Sequence, residues 1–115
     1  MGDVNINIQS LLYRTAGDKE LIMDLCNVLK NELSNYQYEL QSAIINDEYD
    51  SIASLCHKMK SSVAVLGFDK LSQEIFTIED NARKKTINFD FDMKINCIFI
   101  SLNEHLIELE NFIKK

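Results

Sequence analysis

The sequence predicts an all-α fold, an antiparallel up-down four-helix bundle with a short additional N-terminal helix. The 115 residues contain no proline and only three glycines, so long helices meet few residues that would break them. Apolar side chains recur every three or four positions over long segments, as they do on one face of a helix. Short polar breaks separate these segments. We expect one domain over residues 1–115, because a chain of this length can build a single core.

The first two predicted helices lie on either side of a break at Ala16 and Gly17. Residues 4–8 alternate in polarity like a strand, but no partner strand is evident, so we predict a short helix from Asn7 to Arg14. Asp18 is the candidate N-cap of a long helix that runs to about residue 46. The predicted apolar stripe of this second helix is Leu21, Leu25, Val28 or Leu29, Leu33, Tyr36, Leu40 and Ile44.

The third helix follows a turn at residues 46–48, and we expect either Asp47 or Asp50 to cap it. Gly67 ends this helix in the left-handed conformation that favours glycine. The apolar residues of the segment share one helical stripe about 100° wide. They are Ile52, Leu55, Cys56, Met59, Val63 and Leu66.

The fourth helix is predicted to begin with Asp69 as its cap and to bury Leu71, Ile75, Ile78 and Ala82. Residues 86–91 form a predicted loop in which Ile87, Phe89 and Phe91 pack against the end of the bundle. The last helix begins near Asp90 or Asp92. Its predicted stripe is Ile95, Ile98, Phe99, Leu102, Leu106, Leu109 and Ile113.

Composition narrows the class of partner. The net charge is −6, which disfavours nucleic acid. No apolar run approaches the roughly 18 residues of a membrane span, so we expect no membrane contact by this domain. The three cysteines are widely spaced and match neither a disulfide framework nor a zinc pattern, which is typical of a reducing cytoplasm. Several basic residues nevertheless lie in or near the segment around position 57, namely Lys58, Lys60, Lys70, Arg83, Lys84 and Lys85. They form either an ordinary solvated surface or a patch that binds an acidic partner or a phosphoryl group.

His57 is the candidate functional residue. It lies roughly 150° around the third helix from the centre of the apolar stripe, so its ring is expected to face solvent. Lys60 follows one turn later. The outward neighbours of His57 are all small, namely Ala53, Ser54, Ser61 and Ala64. On the next helix Phe76, Glu79 and Arg83 share a face, and the last two form a favourable i,i+4 pair. Phe76 either flanks the core or contributes to a docking surface beside His57.

This segment resembles the signature H-x-x-K-G-(S/A)-x-x-x-L-G of histidine-containing phosphotransfer domains. The matching residues are His57, Lys60, Ser62, Leu66 and Gly67. Ser61 stands where the family usually has glycine. Chain length and helix order match the family as well, so the resemblance extends over nearly the whole chain.

The resemblance implies that His57 accepts a phosphoryl group from the aspartyl phosphate of a receiver domain and passes it to another receiver. Lys60 would stabilise the phosphoryl group, and the Mg²⁺ would belong to the receiver. This chain has no Gly-rich phosphate loop and no paired-carboxylate metal cluster, so we expect no metal, cofactor, kinase or ATPase activity of its own. The expected docking surface is Ala53, Ser54, Lys58, Ser61, Ser62, Ala64, Gly67, Phe76, Glu79 and Arg83.

The expected partners are receiver domains of response regulators or hybrid sensor kinases. We expect a monomer in the cytoplasm, either free or as the cytoplasmic part of a membrane-bound hybrid sensor kinase. The main alternative is a helical-bundle adaptor or inhibitor that docks on a kinase or receiver without being phosphorylated. A purely structural bundle is less favoured. A Cys56–His57 dyad is disfavoured because Cys56 lies on the core stripe, and a metal site from His57 and His105 lacks a convergent carboxylate pair.

Overall fold

A computed structural model describes residues 6–86 and 91–114 and places five helices in them. They are α1 (Ile8–Thr15), α2 (Lys19–Ile45), α3 (Tyr49–Val65), α4 (Asp69–Arg83) and α5 (Phe91–Ile113). The described residues contain no strand, so the predicted all-α class is confirmed. None of these helices combines the length and apolarity that a membrane span requires.

The four long helices form a ring. α2 packs on α3 and α5, and α4 packs on the same two neighbours. Residues 46–48 and 66–68 are short connections that make consecutive helices antiparallel, as in an up-down bundle. The short helix α1 lies against the C-terminal end of α3, where the Arg14 guanidinium donates to the carbonyl oxygens of Ala64 and Val65. The predicted bundle with an additional N-terminal helix is confirmed.

The buried residues follow the predicted stripes of α3, α4 and α5, all of whose members are buried. The register of α2 differs near its start. Ile22 and Cys26 are buried, whereas Leu21 is exposed and Leu25 is only half-buried. Val28 is exposed and Leu29 is buried, which decides between the two predicted alternatives. The predicted core positions Leu21 and Leu25 are therefore wrong. Each has an apolar neighbour in the sequence, and α2 is rotated so that Ile22 and Cys26 face the adjacent helices instead.

Helix capping confirms one sequence prediction and corrects two. The Asp18 side chain accepts a hydrogen bond from the Leu21 backbone N–H and caps α2 as predicted. Neither Asp47 nor Asp50 caps α3, because Asp47 is in the left-handed region and Asp50 already lies in the first helical turn. The predicted Asp69 cap is also wrong. Asp69 is the first residue of α4, and its carboxylate accepts instead from the Asn7 side-chain amide at 2.9 Å.

Gly67 follows α3 with φ +82°, which confirms its predicted left-handed conformation. Its carbonyl oxygen accepts a hydrogen bond of 2.6 Å from the Asn7 backbone N–H. A Cβ at this position would lie 2.7 Å from the Asn7 carbonyl oxygen. Gly67 therefore lets the segment before α1 contact the α3–α4 connection. This contact helps to hold α3 and α4 in their relative position.

The predicted loop before α5 falls partly on residues 87–90, so Ile87, Phe89 and Asp90 lie outside the described residues. Phe91 is buried at the start of α5, and Asp92 lies in its first turn. The beginning of the last helix near these positions agrees with the sequence prediction.

Gly67→Ala should destabilise the protein more than Gly17→Ala. Both glycines have positive φ, which costs a residue with a Cβ about 1–2 kcal/mol. A Cβ at Gly17 would meet nothing within 4 Å, whereas one at Gly67 would displace Asn7 and disturb its hydrogen bond, adding about 1 kcal/mol or more. Urea unfolding of the two variants measures the difference. Equal losses of unfolding free energy would contradict a specific role for the Asn7 contact.

Candidate functional site

The His57 side chain is exposed, as the helical stripe predicted, with 60% of its surface accessible. It projects from the middle of α3, on the side away from the apolar stripe of that helix. The ring nevertheless contacts one carboxylate, which belongs to α4, the helix packed alongside α3. The chemistry available to His57 therefore depends on which atoms α4 presents.

Glu79 of α4 occupies the groove between the two helices. Its side chain is only 5% exposed, and its Oε2 atom lies 3.2 Å from His57 Nδ1. The other oxygen, Oε1, accepts a hydrogen bond of 2.8 Å from Lys60 Nζ. One buried carboxylate thus contacts both side chains that the sequence motif predicted to carry the chemistry.

Arg83 completes the cluster from the next turn of α4. Its Nη2 and Nε atoms donate to Glu79 Oε2 at 2.9 and 3.3 Å. The i,i+4 pair expected from the sequence is therefore present, although Glu79 is buried and not a surface residue. We call Glu79, His57, Lys60 and Arg83 the Glu79 cluster.

The Glu79 carboxyl remains ionised despite its burial. Burial by itself would raise its pKa, but the hydrogen bonds from Lys60 and Arg83, the Lys60 charge and the contact with His57 lower it from 4.5 to about 2. An ionised carboxylate can only accept hydrogen bonds. This constraint determines how the His57 ring must be protonated.

The contact between His57 and Glu79 selects one tautomer of the neutral imidazole. Because Glu79 cannot donate, the proton of the ring must be on Nδ1, where it points at the carboxylate. Nε2 then carries the free lone pair. The arrangement therefore presents an exposed nitrogen nucleophile whose opposite ring atom is held by a buried anion.

Lys60 is fixed by two contacts. Besides its bond to Glu79, its Nζ atom lies 4.9 Å from the centre of the Phe76 ring, within the range of a cation–π interaction. Phe76 is itself 47% exposed, so it lies at the edge of the site and not in the core. With His57 neutral, the two cations exceed the one carboxylate of the cluster, and this surface carries a local positive charge inside an acidic protein.

The expected docking surface is present in part. Ser54, Lys58 and Ser61 are exposed beside His57, while Ser62 and Ala64 are half-buried. The Ser61 hydroxyl donates to the His57 backbone carbonyl at 3.3 Å, a local bond that a glycine would lack. The residue that departs from the family signature is thus tied to its own helix.

Three residues of that expected surface are buried, namely Glu79, described above, and the two small residues Ala53 and Gly67. Ala53 is 1% exposed because it precedes Lys60 by about two helical turns, and α4 covers this flank of α3. Gly67 is also buried, beneath Asn7. Neither residue can contact a partner directly. The small size of Ala53 and Gly67 instead lets α4 and the Asn7 backbone pack closely against them.

The alternative sites considered from the sequence find no support in the geometry. Cys56 is buried, and burial, together with the nearby Glu79 charge, raises the pKa of its thiol to about 12, so it is not a nucleophile. His105 is also buried, with Nδ1 2.7 Å from the Ser101 carbonyl oxygen and its ring edge-on to Phe68. Among residues 6–86 and 91–114, no cluster of histidine, cysteine and acidic side chains is arranged to hold a metal.

Sequence reasoning missed the central role of Glu79. It placed this residue on the docking surface with Arg83, but not against His57, which is 22 positions away on another helix. A usable signal was present, because Glu79 directly follows the buried Ile78 and precedes Arg83 by one turn. An acidic residue at the edge of an apolar stripe, with a cation at i+4, is a candidate for a buried ion pair.

Comparison with known proteins finds one informative relative. The chain is 26% identical over 106 residues to the phosphorelay protein LuxU of Vibrio cholerae serotype O1. The match covers 92% of this chain and 85% of that protein. No family model and no solved structure matches the chain.

Glu79→Gln should change how stability depends on pH. A folded-state pKa lowered from 4.5 to about 2 contributes stability that is present above about pH 4.5 and is lost as the pH falls towards 2. The variant lacks this contribution, so its unfolding free energy should be lower near neutral pH and should fall less steeply on acidification. Denaturant unfolding at a series of pH values measures both curves. Glu74→Gln, on the exposed side of α4, should keep the wild-type slope, and parallel curves for all three proteins would contradict the assignment.

Proposed function

We propose that this chain, which resembles histidine-containing phosphotransfer domains in its motif and is similar over most of its length to a phosphorelay protein, is itself a phosphorelay intermediate. In this role His57 accepts a phosphoryl group from the aspartyl phosphate of one receiver domain. It then returns the group to an aspartate of a second receiver. The observation that carries the proposal is the exposed His57 ring whose Nδ1 contacts the buried Glu79 carboxylate.

The transfer begins with attack by the Nε2 lone pair on the phosphorus of the aspartyl phosphate. A nitrogen–phosphorus bond forms, the phosphorus–oxygen bond breaks, and the receiver aspartate leaves as a carboxylate. The ring keeps its proton on Nδ1 and becomes positively charged. Glu79, 3.2 Å from that nitrogen, stabilises the charge as it develops. The reverse sequence delivers the group to the second receiver.

Lys60 and Arg83 are suited to stabilise the transferred phosphoryl group. Both are held beside His57 by the same carboxylate, and the Arg83 side chain is 57% exposed. Phosphoryl transfer depends mainly on positioning and on neutralisation of charge at the phosphoryl oxygens. As the ring becomes positively charged, its existing contact with Glu79 strengthens, and Lys60 and Arg83 supply positive charge beside the phosphoryl oxygens.

The surface around His57 fits a partner that brings its own acidic pocket. Ser54 and Ser61 are small and exposed, so a receiver can approach the ring closely, and Phe76 offers an apolar contact at the edge. Lys58 adds a further exposed positive charge. In this proposal the receiver supplies the Mg²⁺, the reaction takes place in the cytoplasm, and ATP is not a substrate of this chain.

His57→Gln should abolish phosphorylation by a phosphorylated receiver domain, because glutamine fills a similar volume without a nucleophilic ring nitrogen. The measurement follows radiolabelled phosphate from the receiver to this chain on a gel. The other histidine, His105, is intact in the variant and serves as an internal control. Equal labelling of both proteins, or labelling from ATP alone, would contradict the proposal.

The same experiment separates a relay from an adaptor. An adaptor that is never phosphorylated needs the surface but not the imidazole. If wild-type protein binds the receiver without becoming labelled, and His57→Gln binds equally well, the alternative function is supported instead.

Lys60→Ala should slow phosphoryl transfer about ten- to a hundredfold, because it removes a charge-assisted contact worth roughly 1.5–3 kcal/mol. It should also lower the unfolding free energy by about 1–3 kcal/mol, since Glu79 is buried and loses one of its donors. Lys58→Ala, at the exposed neighbouring position, is the matched control and should affect both quantities much less. Rapid-quench transfer kinetics and thermal unfolding provide the two measurements. A rate equal to that of Lys58→Ala would remove Lys60 from the mechanism.

A further inference from the structure

One side of α4 holds Lys60 from its backbone to its charged end. Ser72, Phe76 and Glu79 follow one another at intervals of four and three residues, so they share that side of the helix. The Ser72 hydroxyl donates to the Lys60 backbone carbonyl at 3.3 Å. Phe76 and Glu79 both contact the Lys60 ammonium. Glu79 has a clear role as the anion of the cluster, whereas the role of Phe76 needs a separate explanation.

Phe76 lies outside the core of the bundle. It is 47% exposed, while Ile75 and Ile78 on the same helix are buried. A single half-exposed aromatic residue is ordinary on a protein surface and implies nothing by itself. The position of this ring is more informative, because the Lys60 Nζ atom lies over it, 4.9 Å from its centre. The face of an aromatic ring is electron-rich, so it attracts this cation.

A lysine ammonium is difficult to hold in one place. It lies at the end of a flexible four-carbon chain, and a single hydrogen bond leaves it free to pivot. Phosphoryl transfer, in contrast, depends on positive charge that is already positioned where the phosphoryl oxygens arrive. A second contact to the Lys60 ammonium reduces the conformational freedom that this side chain would lose during transfer.

The Phe76 ring restrains Lys60 without accepting one of its hydrogen bonds in the way that an oxygen would. An ammonium has three N–H donors, and Glu79 Oε1 accepts a hydrogen bond of 2.8 Å from it. The aromatic face attracts the charge as a whole. A second carboxylate at this place would instead neutralise the charge that a phosphoryl group requires. The Lys60 side chain also remains 24% exposed, so a bound partner can reach it.

We infer that Phe76 is a positioning residue for phosphoryl transfer, because its ring holds the Lys60 ammonium in place beside His57. This role rests on the proposed function and adds to it a residue that does not touch the reacting atoms. It differs from a simple contact with the receiver. A receiver contact affects how tightly the receiver binds, whereas a residue that positions Lys60 affects how fast the bound complex transfers the phosphoryl group.

The test is single-turnover transfer from a phosphorylated receiver domain to the full chain at increasing receiver concentrations. Phe76→Leu should lower the saturating rate about two- to fivefold, the range of a partly exposed cation–π contact, and should leave the half-saturating receiver concentration unchanged. Phe76→Trp should transfer at least as fast as the wild type, because tryptophan attracts cations best. The matched control is Phe112→Leu, at a 45% exposed position on α5, which should behave like the wild type.

A double-mutant cycle shows whether Phe76 acts through Lys60. In a Lys60→Ala background, Phe76→Leu should have no further effect on the saturating rate. NMR provides a measurement that needs no phosphoryl transfer. The ring should shift the methylene protons next to the Lys60 ammonium upfield, and this shift should disappear in Phe76→Leu but remain in Phe112→Leu.

Three results would overturn the inference. The first is an unchanged saturating rate in Phe76→Leu, and a raised half-saturating concentration would then make Phe76 a receiver contact only. The second is an equal loss of rate in the Lys60→Ala background, which would mean that Phe76 acts independently of Lys60. The third is the absence of the upfield shift in the wild type. A wild-type chain that is never labelled by any receiver would instead refute the proposed function, and this role of Phe76 with it.

Discussion

The arrangement around His57 depends on a single buried carboxylate. Glu79 lies between α3 and α4, where an anion is stable only if hydrogen bonds and opposite charges replace the water it has lost. Lys60, Arg83 and His57 together satisfy both of its oxygens. Because the carboxylate can only accept, it determines where these donors lie and which ring nitrogen of His57 carries the proton. Electrostatics, more than apolar packing, thus organises an exposed site.

The fold provides the platform that this interaction requires. Gly67 allows a tight connection between α3 and α4, and its contact with Asn7 ties the beginning of the chain to that connection. Arg14 adds a second tie from α1 to the end of α3. These contacts stabilise the relative position of the two helices that carry the Glu79 cluster. The small N-terminal helix therefore supports the site without contributing a side chain to it.

The bundle separates two kinds of surface. Around His57 lie small exposed residues and excess positive charge, as the proposed transfer from an acidic partner requires. On the outer face of α5, by contrast, the apolar side chains of Met93, Ile100 and Ile107 are exposed. Since α3 and α5 lie across the ring from each other, these apolar side chains are remote from His57.

The sequence alone determined the helices, the buried stripes of α3 to α5, the exposure of His57 and the left-handed Gly67, because each follows from periodicity or backbone conformation within one segment. The predicted core positions Leu21 and Leu25 are wrong, because neighbouring apolar residues permit a second register, in which Ile22 and Cys26 are buried instead. Nor could the sequence show that Ala53 is buried or that Glu79 contacts His57. Those features depend on how far α4 is rotated and shifted against α3. That placement results from packing the whole bundle, and only the tertiary structure decided it.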